Sequence, residues 1–166
     1  MEEKQLSIIT ERLGRPPRGL RDVAVRDAAG LPMVIRVASV VDETPFPTLY
    51  WLIDPALCLR IDRAEAGGVI AGLQARIDAD ERLQGTMRED HRRHIERRAS
   101  YLTPAERGWL TARGLWAALN ERGIGGIADP SRIRCLHTWY AAHLVEPNTI
   151  GRLLDEHWVA EAAARG

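Results

Sequence analysis

PMVIRVASVV, residues Pro32–Val41, decides the fold. Met33, Ile35 and Val37 alternate against Val34, Arg36 and Ala38, which is the two-residue period of a strand, and the β-branched side chains favour extended backbone. Upstream, Asp22–Arg26 is valine-rich and Ala29-Gly30 supplies a turn, so an antiparallel hairpin is expected. Downstream, Pro45-Phe46-Pro47 leads into TLYWLI, Thr48–Ile53, the expected third strand. The apolar alternation gives this small sheet one face to bury under helices.

Everything outside that block reads as helical. Leu6, Ile9 and Leu13 have helical spacing, and Gly14 is a suitable C-cap. Arg15-Pro16-Pro17-Arg18 then forms an extended arm. Asp54-Pro55 opens a helix running toward Gly67-Gly68, because the aspartate can hold an orphan amide and proline suits the first helical position. Val69, Ile70, Leu73 and Ile77 form one stripe, while Leu83, Met87 and Ile95 form another with His91 in register; two helices or one kinked helix fit equally. Thr103-Pro104-Ala105-Glu106 is a capping box, followed by Trp109, Leu115, Trp116 and Leu119 as a buried face. A further helix is expected from Asp129-Pro130, and a last one from Asn148 or Thr149. The fold class is α+β: a mostly helical single domain over residues 1–166, with an N-terminal helix and sheet of about three strands in 1–54 and a helical part in 55–166.

Basic and acidic residues both number 23, so no net field draws in nucleic acid or an anionic membrane. With 45% hydrophobic residues the chain can bury a core without staples, and its two cysteines, Cys58 and Cys135, are expected to be reduced. No secretory leader or membrane-spanning run is legible, which points to the cytoplasm.

Chemically capable side chains crowd into GIGGIADPSRIRCLHTWYAAH, Gly123–His143. The glycines invite a phosphate-loop reading, but GxGxxG and GxxxxGK[ST] are both absent and Asp129 brings its own negative charge, so a C-cap and tight turn is preferred. On a helix opened by Asp129-Pro130, His137 falls within the apolar stripe of Ile133, Leu136, Tyr140 and Leu144 and points inward. Cys135 would stand about 200° away, so no metal is expected at the pair. His91 also interrupts an apolar stripe, and His94 lies three residues further on. Their neighbours Arg92, Arg93, Arg97 and Arg98 are balanced by Glu89, Asp90 and Glu96, which suits a solvated face with a Glu89–Arg93 pair rather than an RNA surface. Buried histidines need partners, so Tyr50, Glu65, His91 and His137 are expected to meet in a polar cluster, with Arg134 or Arg18 at its rim.

LGRPPRG (13–19), TPFPTLYWL (44–52), Glu65-Ala66-Gly67, GIGGIADP (123–130) and RCLH (134–137) together resemble an uncharacterised bacterial family, domain of unknown function 501. The resemblance implies a genomic association with phosphate metabolism or cell division. It also implies a histidine seven residues after the cysteine, where this chain has Ala142 followed by His143.

Two functions follow. The first is a pocket for a small, phosphate-bearing ligand, walled by Thr48–Trp51, His91 and the His137 helix, with Arg15, Arg18 or Arg134 binding the anion. The second is a non-catalytic interaction or regulatory module that docks a protein partner through an exposed tryptophan face. Neither cofactor nor reaction is legible.

Overall fold

A computed structural model describes residues 2–166. Helix α1 (Glu3–Leu13) ends at Gly14, whose left-handed backbone (φ 73°) suits a residue without a Cβ. Strands β1 (Leu20–Arg26) and β2 (Pro32–Val37) pair antiparallel, and β2 also pairs with β5 (Tyr50–Leu52), giving the order β1-β2-β5. Val23 lies opposite Ile35, and Ile35 opposite Trp51.

The expected strand Pro32–Val41 is cut at Val37. Beyond it, β3 (Val40–Val41) and β4 (Thr44–Pro45) form a separate two-stranded ribbon. Asp42 and Glu43, which join them, both have positive φ (48° and 57°), the backbone that a tight two-residue hairpin demands. The third strand is likewise shorter than Thr48–Ile53.

The sheet is covered on both faces, not one. Val34, Tyr50 and Leu52 face the main helical core, whereas Ile35, Val37 and Ile53 pack with Ile9, Leu13 and Trp51 on the α1 side. Val34 and Ile35 are therefore both fully buried, as expected of a central strand sandwiched between layers.

After the sheet come α2 (Pro55–Ala66), α3 (Val69–Asp78) and α4 (Glu81–Tyr101), three separate helices. Asp54 Oδ1 accepts the Leu57 amide at 2.8 Å and Pro55 sits in the first turn. Asp54→Ala is expected to cost about 1–2 kcal/mol in a urea denaturation curve, because that amide loses its acceptor. Thr103 and Glu106 form the reciprocal capping box of α5 (Pro104–Ala112), which is followed by α6 (Trp116–Asn120) and a 3-10 turn at Ile124–Gly126. Of the expected buried face here, Leu119 is buried together with Leu110. Trp109, Leu115 and Trp116 are half-buried, and Arg113 and Arg107 lie over the two tryptophan rings.

Helix α7 (Leu136–Val145) runs against β5 and through the main core, with Leu136 and Trp139 fully buried. Helix α8 (Thr149–Arg165) closes it, capped by Asn148, whose Oδ1 accepts the Gly151 amide at 2.8 Å. Among the described residues, no helix is long and apolar enough to cross a membrane.

Candidate functional site

The site begins with a helix that starts later than its sequence suggests. Asp129-Pro130 does not open α7. Asp129 Oδ1 instead accepts the amide and hydroxyl of Ser131 (3.0 and 2.8 Å), closing a local turn. Gln74 on α3 then straps the next residues down: its Nε2 donates to the Ser131 carbonyl and its Oε1 accepts the Ile133 amide. This carbonyl and this amide are satisfied from another helix, so the backbone stays out of helical geometry until Leu136. Cys135 is extended (φ −145°, ψ 119°) in the N-cap position, and the capping acceptor comes from α2, where Glu65 Oε1 accepts the Leu136 amide at 2.8 Å.

This late start overturns the expected divergence of Cys135 and His137. The 200° separation holds only for two residues inside one regular helix, and Cys135 lies outside it. Its Sγ is 3.7 Å from His137 Nδ1, which is 3.4 Å from Glu65 Oε1. The ligand atoms of Glu65, Cys135 and His137 all lie within 4.8 Å of one another. On the far edge of the imidazole, Nε2 meets Asp62 Oδ1 at 3.0 Å. His137 is consequently half-exposed rather than turned into the core.

The electrostatics follow from these contacts. The hydrogen bond to Cys135 is the main influence raising His137, with Glu65 and Asp62 adding to it against burial, and the imidazole is lifted to about 9. Burial pushes the Cys135 thiol up, but its bonds from His137 and from the first-turn amides outweigh it and leave the thiol below its ordinary value. A cavity of about 270 Å³ opens beside His137 and Thr138, walled by Thr48 and by Tyr50–Leu52 of β5.

The four expected cluster residues divide. Glu65 and His137 meet, and Tyr50 borders the same cavity while its ring leans edge-on toward His94. His91 is elsewhere: its Nδ1 accepts the buried Ile124 amide at 3.0 Å and its ring packs on Trp139, which stands about 200° round α7 from His137. The glycine turn is therefore built around His91. Burial holds His91 below its ordinary value, although Asp90, the Pro130 carbonyl and Asp129 oppose that.

The three arginines also part company. Arg134 is exposed, next to Cys135. Arg15 lies over Trp51, and Arg18 pairs with Asp42 through Nε at 3.1 Å. Both line a different cavity, of about 220 Å³, on the α1 face of the sheet. Nor is the arginine run on α4 a uniformly solvated face. Glu89 pairs with Arg92, Arg93 pairs with Asp90, and Arg98 is buried, donating to the carbonyls of Pro47 and Leu119. His143 belongs to another network, between Asp155 and the Asn148 amide.

Asp62 is the site residue the sequence reading missed. It lies three residues before Glu65 on α2, a spacing that puts two carboxylates on one helix face.

The architecture is that of a small α+β protein with a thiol, an imidazole and two carboxylates gathered at one helix start. Residues 23–156 match the model of the family described as "Protein of unknown function (DUF501)", and the chain belongs to that family. No curated protein and no solved structure matches the chain.

Proposed function

We propose that this protein binds a small, phosphate-bearing molecule at the start of α7, with Cys135, His137 and Glu65 at the centre and Arg134 at the rim. The observation that carries the reading is the convergence of three chemically capable side chains, drawn from two helices and a loop, beside a cavity large enough for a small molecule. A purely structural role accounts for Glu65, which caps α7, but gives no reason for a thiol and a half-exposed imidazole to meet there. Arg15 and Arg18 drop out of this site, since they lie across the sheet.

The test is an amide NMR titration of the protein as purified with inorganic phosphate and pyrophosphate. Shifts centred on residues 134–138, weakened at least fivefold in Arg134→Ala and lost in His137→Gln with an unchanged melting temperature, are expected. Shifts centred on Arg15 and Arg18, or none, contradict the reading.

A further inference from the structure

The local charge of this site is wrong for an anion alone. Asp62 and Glu65 bring two carboxylates against the His137 imidazolium and Arg134. A phosphate approaching Cys135 would meet no surplus of positive charge, and an added cation would supply it.

The arrangement of the side chains says where. Asp62 Oδ1 stands 3.0 Å from His137 Nε2 on one edge of the ring, and on the other edge a metal ion that displaces the Nδ1 proton would find that nitrogen beside the Cys135 sulfur and the Glu65 oxygen. Three electron-pair donors thus surround one point. One proton can bridge only one pair of them, whereas a metal ion satisfies all three at once.

The spacings fit a particular ion. With metal–nitrogen and metal–oxygen bonds of about 2.1 Å and a metal–sulfur bond of about 2.3 Å, tetrahedral geometry places nitrogen about 3.4 Å from oxygen and about 3.6 Å from sulfur. The observed separations are 3.4 Å for His137 Nδ1 to Glu65 Oε1 and 3.7 Å for Nδ1 to Cys135 Sγ. Both are long for strong hydrogen bonds and correct for edges of a coordination tetrahedron. The surrounding contacts match as well: a ligating histidine usually has a carboxylate at its other nitrogen, and Asp62 Oδ1 stands 3.0 Å from His137 Nε2, while a ligating carboxylate is itself hydrogen-bonded, as Glu65 is to the Leu136 amide. A thiolate in the set selects a soft divalent ion over Mg²⁺ or Ca²⁺.

We propose that Glu65, Cys135 and His137 bind one Zn²⁺, with Asp62 orienting the histidine and the fourth position open toward the cavity. Three protein ligands and one exchangeable position are the pattern of a zinc ion that takes substrate rather than one that only staples a fold. This rests on the reading of the cluster as the functional site and assigns the ion through which an anion would be held there.

The test uses the full chain, stripped with chelator and titrated with Zn²⁺ and Co²⁺ in the absence of any phosphate. One equivalent of Zn²⁺ should bind, and Co²⁺ should give a thiolate-to-metal charge-transfer band. Cys135→Ser should abolish the band, and Cys58→Ser should leave it intact. Glu65→Gln keeps an acceptor for the Leu136 amide, so it should stay folded by circular dichroism while binding Zn²⁺ at least tenfold more weakly. Asp62→Asn, at a largely exposed position, should weaken binding about tenfold or more. Absence of stoichiometric Zn²⁺, or binding that survives Cys135→Ser, overturns the proposal. Pyrophosphate binding of undiminished strength in the metal-free protein would sink the zinc site and leave the phosphate reading standing. Tight Zn²⁺ binding with no pyrophosphate response at residues 134–138 would do the reverse.

Discussion

Gly123→Ala should destabilise the protein by about 3–5 kcal/mol, because the added methyl group has no room. A Cβ on Gly123 would sit 2.1 Å from His91 Nδ1 and 2.7 Å from its Cγ. The backbone φ of −83° is open to any residue, so the requirement is purely one of space. His91 cannot step aside cheaply, because it is buried, packs on Trp139 and accepts the Ile124 amide. Displacing it removes a buried hydrogen bond and forces the turn away from α4. Gly72→Ala is the control: Gly72 lies within exposed α3 surface with nothing within 4 Å of the added Cβ, and the change should stabilise by about 0.5–1 kcal/mol. Urea denaturation of the two variants against wild type checks both signs. Equal, small effects would mean that the turn does not rest on His91.

Acid should destabilise the fold well above the range in which ordinary carboxylates titrate. His94 is 7% exposed, and burial, then Arg98, His91 and Arg97, hold its imidazole down to about 3. Asp90 and Arg93 on the same helix, Tyr50 from β5 and Glu146 beyond α7 complete its charged and titratable surroundings. The folded state thus keeps His94 neutral while the unfolded chain protonates it near pH 6.5. The unfolded state binds more protons between those values, so the stability is complete above pH 6.5 and falls as the pH drops toward 3. From pH 8 to pH 5 the loss from His94 is about 2 kcal/mol, and His91 acts in the same direction; His137, lifted to about 9, acts in the opposite direction above pH 6.5, so the His94 slope is read below that pH. Unfolding free energies from urea curves at half-unit pH steps should show this slope, and His94→Gln should flatten it. A wild-type slope that persists unchanged in His94→Gln would place the proton uptake elsewhere.

What the sequence made legible is what local chemistry controls. Asp54-Pro55, the Thr103–Glu106 capping box and Asn148 each mark a helix start because the capping atoms lie within three residues of the amides they satisfy. Asp129-Pro130 carries the same local signature and fails, since Gln74 and Glu65, 59 and 71 residues away, hold the amides that would decide the matter. Moving the helix start to Leu136 changed the chemistry at Cys135 from a side chain aimed away from His137 to its neighbour. His91 interrupts an apolar stripe in the sequence, and the partner of its Nδ1 is the backbone amide of Ile124 rather than another side chain. The strand Pro32–Val37 hid its two-sided burial in the same way, because only the position of α1 reveals that Ile35 and Val34 are both covered.

The central claim is that one loop cysteine, one histidine and one carboxylate form a single metal centre at the start of α7. Zinc K-edge X-ray absorption of the protein loaded with one equivalent of Zn²⁺ tests it most directly. The account predicts one sulfur at about 2.3 Å and two or three nitrogen or oxygen neighbours at about 2.0–2.2 Å. A shell with no sulfur, or with two, would contradict it.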